Sequence, residues 1–276
     1  MSPELFYITI LLITGLGVGF LTGLLGVGGG FILVPIQFFL LESIGVDPTT
    51  ALRIAFGTSL AVILPTAVSG TYRHYTKGLV LVRPAFYMGI PGILGGFLGG
   101  YIATHVPGDY LKIIFGFALL LVAVQMLSFK DSPEDRKKVD NIYYYLFWGF
   151  IAGLMSGLVG IGGGVILVPV MVLILGFSMI EAVGTSTMVI IFTSIGGIVA
   201  YILNGLYITG LPPYSLGYIN LLQLVILASM SIPMAQIGAI AAHKVPNRLL
   251  RYIFVVVLIY IALKMLGVLQ WLRIPL

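Results

Sequence analysis

The chain has no cysteine and very little charge. Its 276 residues include no Cys, three His, two Trp and 23 charged side chains, 8% of the total, where soluble proteins carry about 25%. Without cysteine there is no disulfide, no thiol catalysis and no cysteine metal site. Eight of the charged residues fall between Lys130 and Asp140, so the other 265 positions share fifteen. That leaves no stretch for a soluble domain. No carboxylate lies inside an apolar run, since Glu42, Asp47 and Glu181 all border loops, and no internal carboxylate proton relay is visible. What is present is 59% hydrophobic residues, 36 glycines and a mean hydropathy of +1.14. These describe an integral, polytopic, all-α protein of the cell (inner) membrane. The net charge of +5 points to no nucleic acid, because the Lys and Arg residues sit in short loops between apolar runs, where they act as topology signals.

The glycines are organised into a duplicate. Gly23 to Ile36 reads GLLGVGGGFILVPI and Gly157 to Val170 reads GLVGIGGGVILVPV, with ten of fourteen positions identical. The pairs Gly19/Gly153 and Gly15/Gly149 extend the match upstream. Each copy places four glycines in five residues and a proline five residues further on, Pro35 and Pro169. A helix broken there leaves backbone groups unpaired within an apolar run, which is tolerated only inside protein or beside a wet cavity. Matched discontinuous helices in two halves point to a transporter's binding site. Gly15 and Gly19, spaced by four, fit close helix packing instead.

The first apolar run, Leu5 to Leu41, has 37 residues, where one crossing needs about 20. It divides at Gly26 to Gly30 into a retained first helix and a short one of about a dozen residues from Phe31. Further helices are expected at Ala51–Tyr72, Pro84–Thr104 and Tyr110–Phe129. The pattern restarts at Tyr143, with Gly184-Thr185-Ser186 answering Gly57-Thr58-Ser59 and about twelve extra residues in the loop holding Pro212 and Pro213. This gives a first repeat over 1–129, a charged cytoplasmic linker over 130–142 and a second repeat over 143–276, with eight full spans and two short discontinuous helices.

Basic residues orient it. Loop 73–83 and the linker are basic, while the turn at 105–111 is not. In the second half the twin of 73–83, loop 204–217, has no Lys or Arg, while Lys244, Arg248 and Arg251 crowd the twin of 105–111. Equivalent loops then lie on opposite sides, which implies inverted-topology repeats of five segments each, with both termini outside. That requires each broken run to enter and return; a run that crossed once would give parallel repeats of four spans.

The glycine breaks expose the N–H groups that begin the short helices, and such helix starts attract anions without a fixed charge. Gly26, Gly28, Gly29, Gly30, Gly160, Gly162, Gly163 and Gly164 are the first candidates for anion binding. The hydroxyls of Thr58, Ser59, Thr185 and Ser186 are second, against the alternative that each bonds its own helix. Arg53, a cation at the start of an apolar helix, contacts substrate or reaches for the headgroups. Lys112 and Lys264 read as snorkelling. Asn220, Gln223, Gln236, Gln37 and Gln125 read as interhelical hydrogen-bonding residues. His74, His105 and His243 read as interfacial side chains at loop edges, without metal-ligand spacing. No catalytic residue, metal or cofactor is expected.

The two GxGGGxxxxP segments, each followed by a helix bearing Gly-Thr-Ser, resemble the TauE/SafE family of sulfite and organosulfonate exporters, over nearly the whole chain. The resemblance implies a secondary transporter of small sulfur-containing or carboxylated anions such as sulfite, sulfoacetate or thiosulfate. Its partners are then the anion, membrane lipid and a coupling ion, proton or sodium; it does not specify the oligomeric state. Two other classes stay open: an anion channel using the same breaks, and a membrane-embedded enzyme with Ser59 or Ser186 and a histidine.

Overall fold

A computed structural model describes residues 3–128, 138–139, 141–242 and 248–268. Among them are ten helices and one small hairpin. The first half comprises α1 (Pro3–Leu25), α2 (Gly30–Ser43), α3 (Pro48–Thr76), α4 (Val82–His105) and α5 (Gly108–Ser128). The second comprises α6 (Ile142–Val159), α7 (Gly164–Leu173), α8 (Met179–Gly205), β1 (Ser215–Leu216), β2 (Ile219–Asn220), α9 (Leu221–Ala241) and α10 (Arg248–Met265). Six of these, α1, α3, α4, α6, α8 and α9, are long and apolar enough to cross a membrane. At about 1.5 Å per residue, α2 with 14 residues and α7 with 10 fall short of the hydrocarbon thickness.

Several helices begin earlier than hydropathy suggests, because polar side chains cap them. Asp47 accepts from Thr50 N at 3.0 Å and Pro48 occupies the first turn, so α3 starts before Ala51. Ser178 and Glu181 form a capping box that starts α8 at Met179. Asn220 caps α9 by accepting from Gln223 N. Helix α3 also runs past Tyr72 to Thr76, which places His74 within a helix.

Glycine faces fix the packing. Helix α1 lies along α9 and α6 lies along α4, so the first helix of each half packs on the fourth of the other. A methyl on Gly15, Gly19 or Gly23 would come within 2.7 Å, 2.2 Å or 2.0 Å of the carbonyls of Leu227, Ser231 and Ala235. One on Gly149, Gly153 or Gly157 would meet those of Met88, Gly92 and Gly96 at 2.1, 2.2 and 2.0 Å. Small residues spaced by four let the backbones touch, as in membrane helix pairs. Large side chains face outward: Ile90, Leu94, Leu98 and Tyr101 make an exposed stripe at helical spacing on α4, opposite its buried glycines. A helix with its glycines inside and its apolar bulk outside is built for lipid.

Candidate functional site

The glycine breaks sit at the centre, one against the other. Gly26, Gly28 and Gly29 have φ of 66°, 89° and 70°, and Gly160, Gly162 and Gly163 have 70°, 90° and 81°. The two breaks thus repeat each other torsion by torsion in a region that side chains disfavour. Gly29 and Gly163 are the N-cap residues of α2 and α7 and supply no side-chain cap. The two starts touch across the halves. A methyl on Gly30 would lie 2.4 Å from Gly160 O, one on Gly164 2.5 Å from Gly26 O, and one on Gly28 2.7 Å from Ile161 O. The centre is closed.

Both Gly-Thr-Ser triplets hold this junction. Ser59 Oγ donates to Gly160 O and Ser186 Oγ to Gly26 O, each at 2.8 Å, so each serine grips the break of the other half. Thr58 Oγ1 accepts from Asn220 N at 2.9 Å, and Thr185 Oγ1 from Leu81 N at 3.0 Å. Gly57 and Gly184 let the same connections approach, with Tyr218 O and Leu79 O 2.5 and 2.8 Å from where a methyl would stand. The bond to the residue's own helix is present only at Ser186, whose Oγ also reaches Val183 O. All four hydroxyl residues are fully buried. A hydroxyl donating to a carbonyl retains only lone pairs, whereas one that accepts from N–H keeps its hydrogen. In this conformation Thr58 and Thr185 keep donors, while Ser59 and Ser186 have theirs engaged.

A further matched pair lies beside each break. His74 Nε2 is 3.0 Å from Gly23 O, and Tyr201 Oη donates to Gly157 O at 2.9 Å. Backbone bonds from Leu79 N to His74 O and from Tyr218 N to Tyr201 O, both 3.1 Å, repeat the pattern. Sequence reading placed His74 at a loop edge and missed this role; it is fully buried, because α3 extends two residues beyond it. The offset of 127 residues that aligns the two Gly-Thr-Ser triplets also carries His74 onto Tyr201, and that was the available signal.

Arg53 stands one turn before Phe56, whose Cα is 2.7 Å from where a methyl on Gly160 would lie. Its Nη1 donates to Tyr218 Oη at 3.3 Å and its Nη2 to Val106 O at 3.1 Å, with the guanidinium 5.8 Å from the centre of the Tyr218 ring. These acceptors are neutral. Among the described residues the ion pair is elsewhere, Lys138 to Glu181 at 2.6 Å. Lys112 and Lys264 lie over the rings of Phe38 and Phe39 on α2, at 5.1 and 4.2 Å.

The polar residues divide. Gln223 Nε2 donates to Tyr7 Oη and Asn220 Nδ2 to Pro213 O. Gln236 is exposed on the outer face of α9, and Gln37 is fully buried with neither amide atom bonded, so neither makes the interhelical bond expected of it. His105 Nδ1 pairs with Tyr101 O at its own helix end. The Gln125 side chain and His243 lie outside the described residues. A cavity of about 230 Å³ opens between the α2–α3 turn and Gly210, Pro212 and Pro213. Its one charged lining residue is Asp47, which does not suit an anion.

A helical membrane protein with paired broken helices at its centre has the architecture of a transporter. Residues 11–265 match the family model described as "Sulfite exporter TauE/SafE", and the chain belongs to that family. It is 28% identical over 250 residues to a probable membrane transporter protein of Methanocaldococcus jannaschii, covering 90% of this chain and 91% of the relative. A probable membrane transporter protein of Haemophilus influenzae is 29% identical over 260 residues, covering 94% and 98%. The Bacillus subtilis probable membrane transporter protein YunE is 29% identical over 214 residues, covering 71% and 78%. No solved structure matches.

Proposed function

We propose that the chain is a secondary carrier of small sulfur-containing anions, such as sulfite, sulfoacetate or thiosulfate, which it binds between the two glycine breaks near the membrane midplane. One observation carries this reading: two breaks with matching torsions bring the uncapped starts of α2 and α7 together at the centre of the protein. Helix starts present N–H groups and the positive end of the dipole, and two of them facing each other favour an anion. Because the breaks touch, an anion enters only when they part. Ser59 and Ser186 then release the Gly160 and Gly26 carbonyls and donate to the ligand, beside Thr58 and Thr185. Arg53, one turn from the second break, supplies long-range attraction.

Inverted repeats of five segments, with eight full spans in all, provide the two alternating openings. Supporting this, Val139 N donates to Leu175 O at 3.0 Å, which puts the approach to α6 and the exit of α7 at one end of the protein. The α2–α3 turn shares its cavity with loop 210–213 at the other end. Closed contact between the breaks favours a carrier over an open pore. An enzyme reading finds no support, since Ser59 and Ser186 donate to carbonyls and not to a histidine.

Labelled thiosulfate, sulfite and sulfoacetate exchange across proteoliposomes tests the reading. Saturable exchange of at least one supports it; ohmic, unsaturated conduction, or no flux of any of the three, sinks it.

A further inference from the structure

We infer that Ile63 and Ile190 select the anion, as an apolar wall over the glycine breaks that favours ligands with one weakly hydrated end; the inference rests on the carrier reading above. The two positions are equivalent, since the offset of 127 residues that aligns the Gly-Thr-Ser triplets carries Ile63 onto Ile190. Each stands one turn after a latch serine, Ser59 or Ser186, and so on the same face of α3 or α8. Both are fully buried and belong to one apolar cluster. Both also lie against both breaks. A methyl on Gly162 would meet Ile63 Cγ2 at 3.2 Å and Ile190 Cγ2 at 3.3 Å, and its third neighbour is Ile63 Cδ1 at 3.6 Å. One on Gly28 would lie 3.6 Å from both Ile190 Cδ1 and Ile63 Cγ2, and one on Gly164 would lie 2.7 Å from Ile190 Cδ1.

The bare side of a glycine is where a ligand comes closest to the backbone. At the middle glycine of each break that side is faced by these two side chains, one from each half. When the breaks part, an anion held by the helix starts and the serine hydroxyls meets hydrocarbon one turn further along the same helix faces. Hydrocarbon offers no hydrogen bond, so a ligand oxygen turned toward it loses water without replacement. Sulfate has only oxygens to turn there. Thiosulfate presents its terminal sulfur, and an organosulfonate its carbon. The wall is also stiff, because a β-branched isoleucine on a helix strongly prefers one χ1 rotamer. It therefore limits the length of the ligand as well as its polarity.

The test measures uptake of labelled thiosulfate, sulfate, butanesulfonate, sulfite and sulfoacetate by the full chain in proteoliposomes. Two double variants, Ile63→Val with Ile190→Val and Ile63→Thr with Ile190→Thr, both shorten the side chains, and Thr differs from Val by a hydroxyl in place of a methyl. The parent is expected to carry thiosulfate about 10-fold faster than sulfate or butanesulfonate. The Val pair is expected to raise butanesulfonate relative to thiosulfate about 10-fold while sulfate stays excluded, and the Thr pair to raise sulfate by a similar factor. Ile54→Val shortens an equally buried isoleucine nine residues before Ile63 on α3 and is expected to leave both ratios unchanged. Where a double variant does not fold, each single change is read in the same way. A parent that carries sulfate as fast as thiosulfate, or ratios that stay at the parent's or move only as Ile54→Val moves them, overturns the wall. So does a parent that carries sulfite or sulfoacetate but not thiosulfate, and in each of these cases the carrier reading stands. A parent that carries no anion at all overturns the carrier reading, and the wall with it.

Discussion

Ser59 in the first half donates its hydroxyl hydrogen to the carbonyl of Gly160 in the second, at 2.8 Å, and Ser186 returns the bond to Gly26 at the same distance. The two breaks are thereby latched by equivalent bonds running in opposite directions between the halves.

Removing either latch has two separable effects. In Ser59→Ala or Ser186→Ala a buried carbonyl loses its partner, at about 1–3 kcal/mol, and the melting temperature is expected to fall by about 2–4 °C per kcal/mol. The anion loses a charge-assisted bond while the closed state loses a neutral one. The difference is about 1 kcal/mol, so the thiosulfate Kd rises about fivefold. Calorimetry and thermal melts on the purified variants check both. A fall in melting temperature with unchanged Kd makes the serines latches only.

The glycines of the breaks are shaped for the fold, and alanine scanning measures how much each contributes to it. Gly163→Ala combines a positive φ of 81° with a methyl 2.7 Å from Ala152 O. Gly45→Ala has a φ of 86° and open space, and Gly17→Ala has neither strain nor a neighbour within 4 Å. A left-handed non-glycine residue costs about 1–2 kcal/mol, so the expected losses of melting temperature run Gly163 well above Gly45, with Gly17 near zero. Equal melting of all three variants contradicts the packing seen at the break.

The duplicated motif made the breaks and the family legible from sequence, because glycine runs and prolines in an apolar context have few explanations. The partners of the Gly-Thr-Ser hydroxyls were not legible. Ser59 and Gly160 are 101 residues apart, and no local pattern encodes a bond between halves. His74 was misplaced for a different reason. Arg73 and Lys77 around it resemble a loop, and only the helical extension to Thr76 turns its ring inward. Gly15 and Gly19 were read correctly as packing residues, since spacing by four on an apolar helix is itself the packing signal.

Arg53 separates charge from geometry. Its guanidinium is held by Tyr218 Oη and Val106 O, neither of which neutralises it. Arg53→Gln removes the charge, and Arg53→Lys keeps it without the planar fork. If long-range attraction is its contribution, KM rises about tenfold in Arg53→Gln with kcat retained, and the Lys variant recovers most of the loss. Raising ionic strength narrows the gap between parent and Arg53→Gln. An unchanged KM in Arg53→Gln leaves the residue a clamp between the hairpin and the α4–α5 turn.

The orientation of the halves is decided by four surface positions. Because the chain has no cysteine, single cysteines report sidedness without background. Ser43 ends α2, Lys77 follows α3, Met179 begins α8 and Tyr207 follows α8, and all four are exposed. If each broken run enters and returns, Ser43 and Tyr207 face outside and Lys77 and Met179 face the cytoplasm. If each broken run instead crosses once, Ser43 joins Met179 on one side and Lys77 joins Tyr207 on the other. The basic loop at 73–83 and the neutral loop at 204–217 favour the first arrangement. An impermeant maleimide applied to intact cells is therefore expected to label Ser43→Cys and Tyr207→Cys, and to reach Lys77→Cys and Met179→Cys only after the membrane is opened. Labelling of Lys77→Cys together with Tyr207→Cys from one face would make the repeats parallel and end the alternating-access scheme built on their inversion.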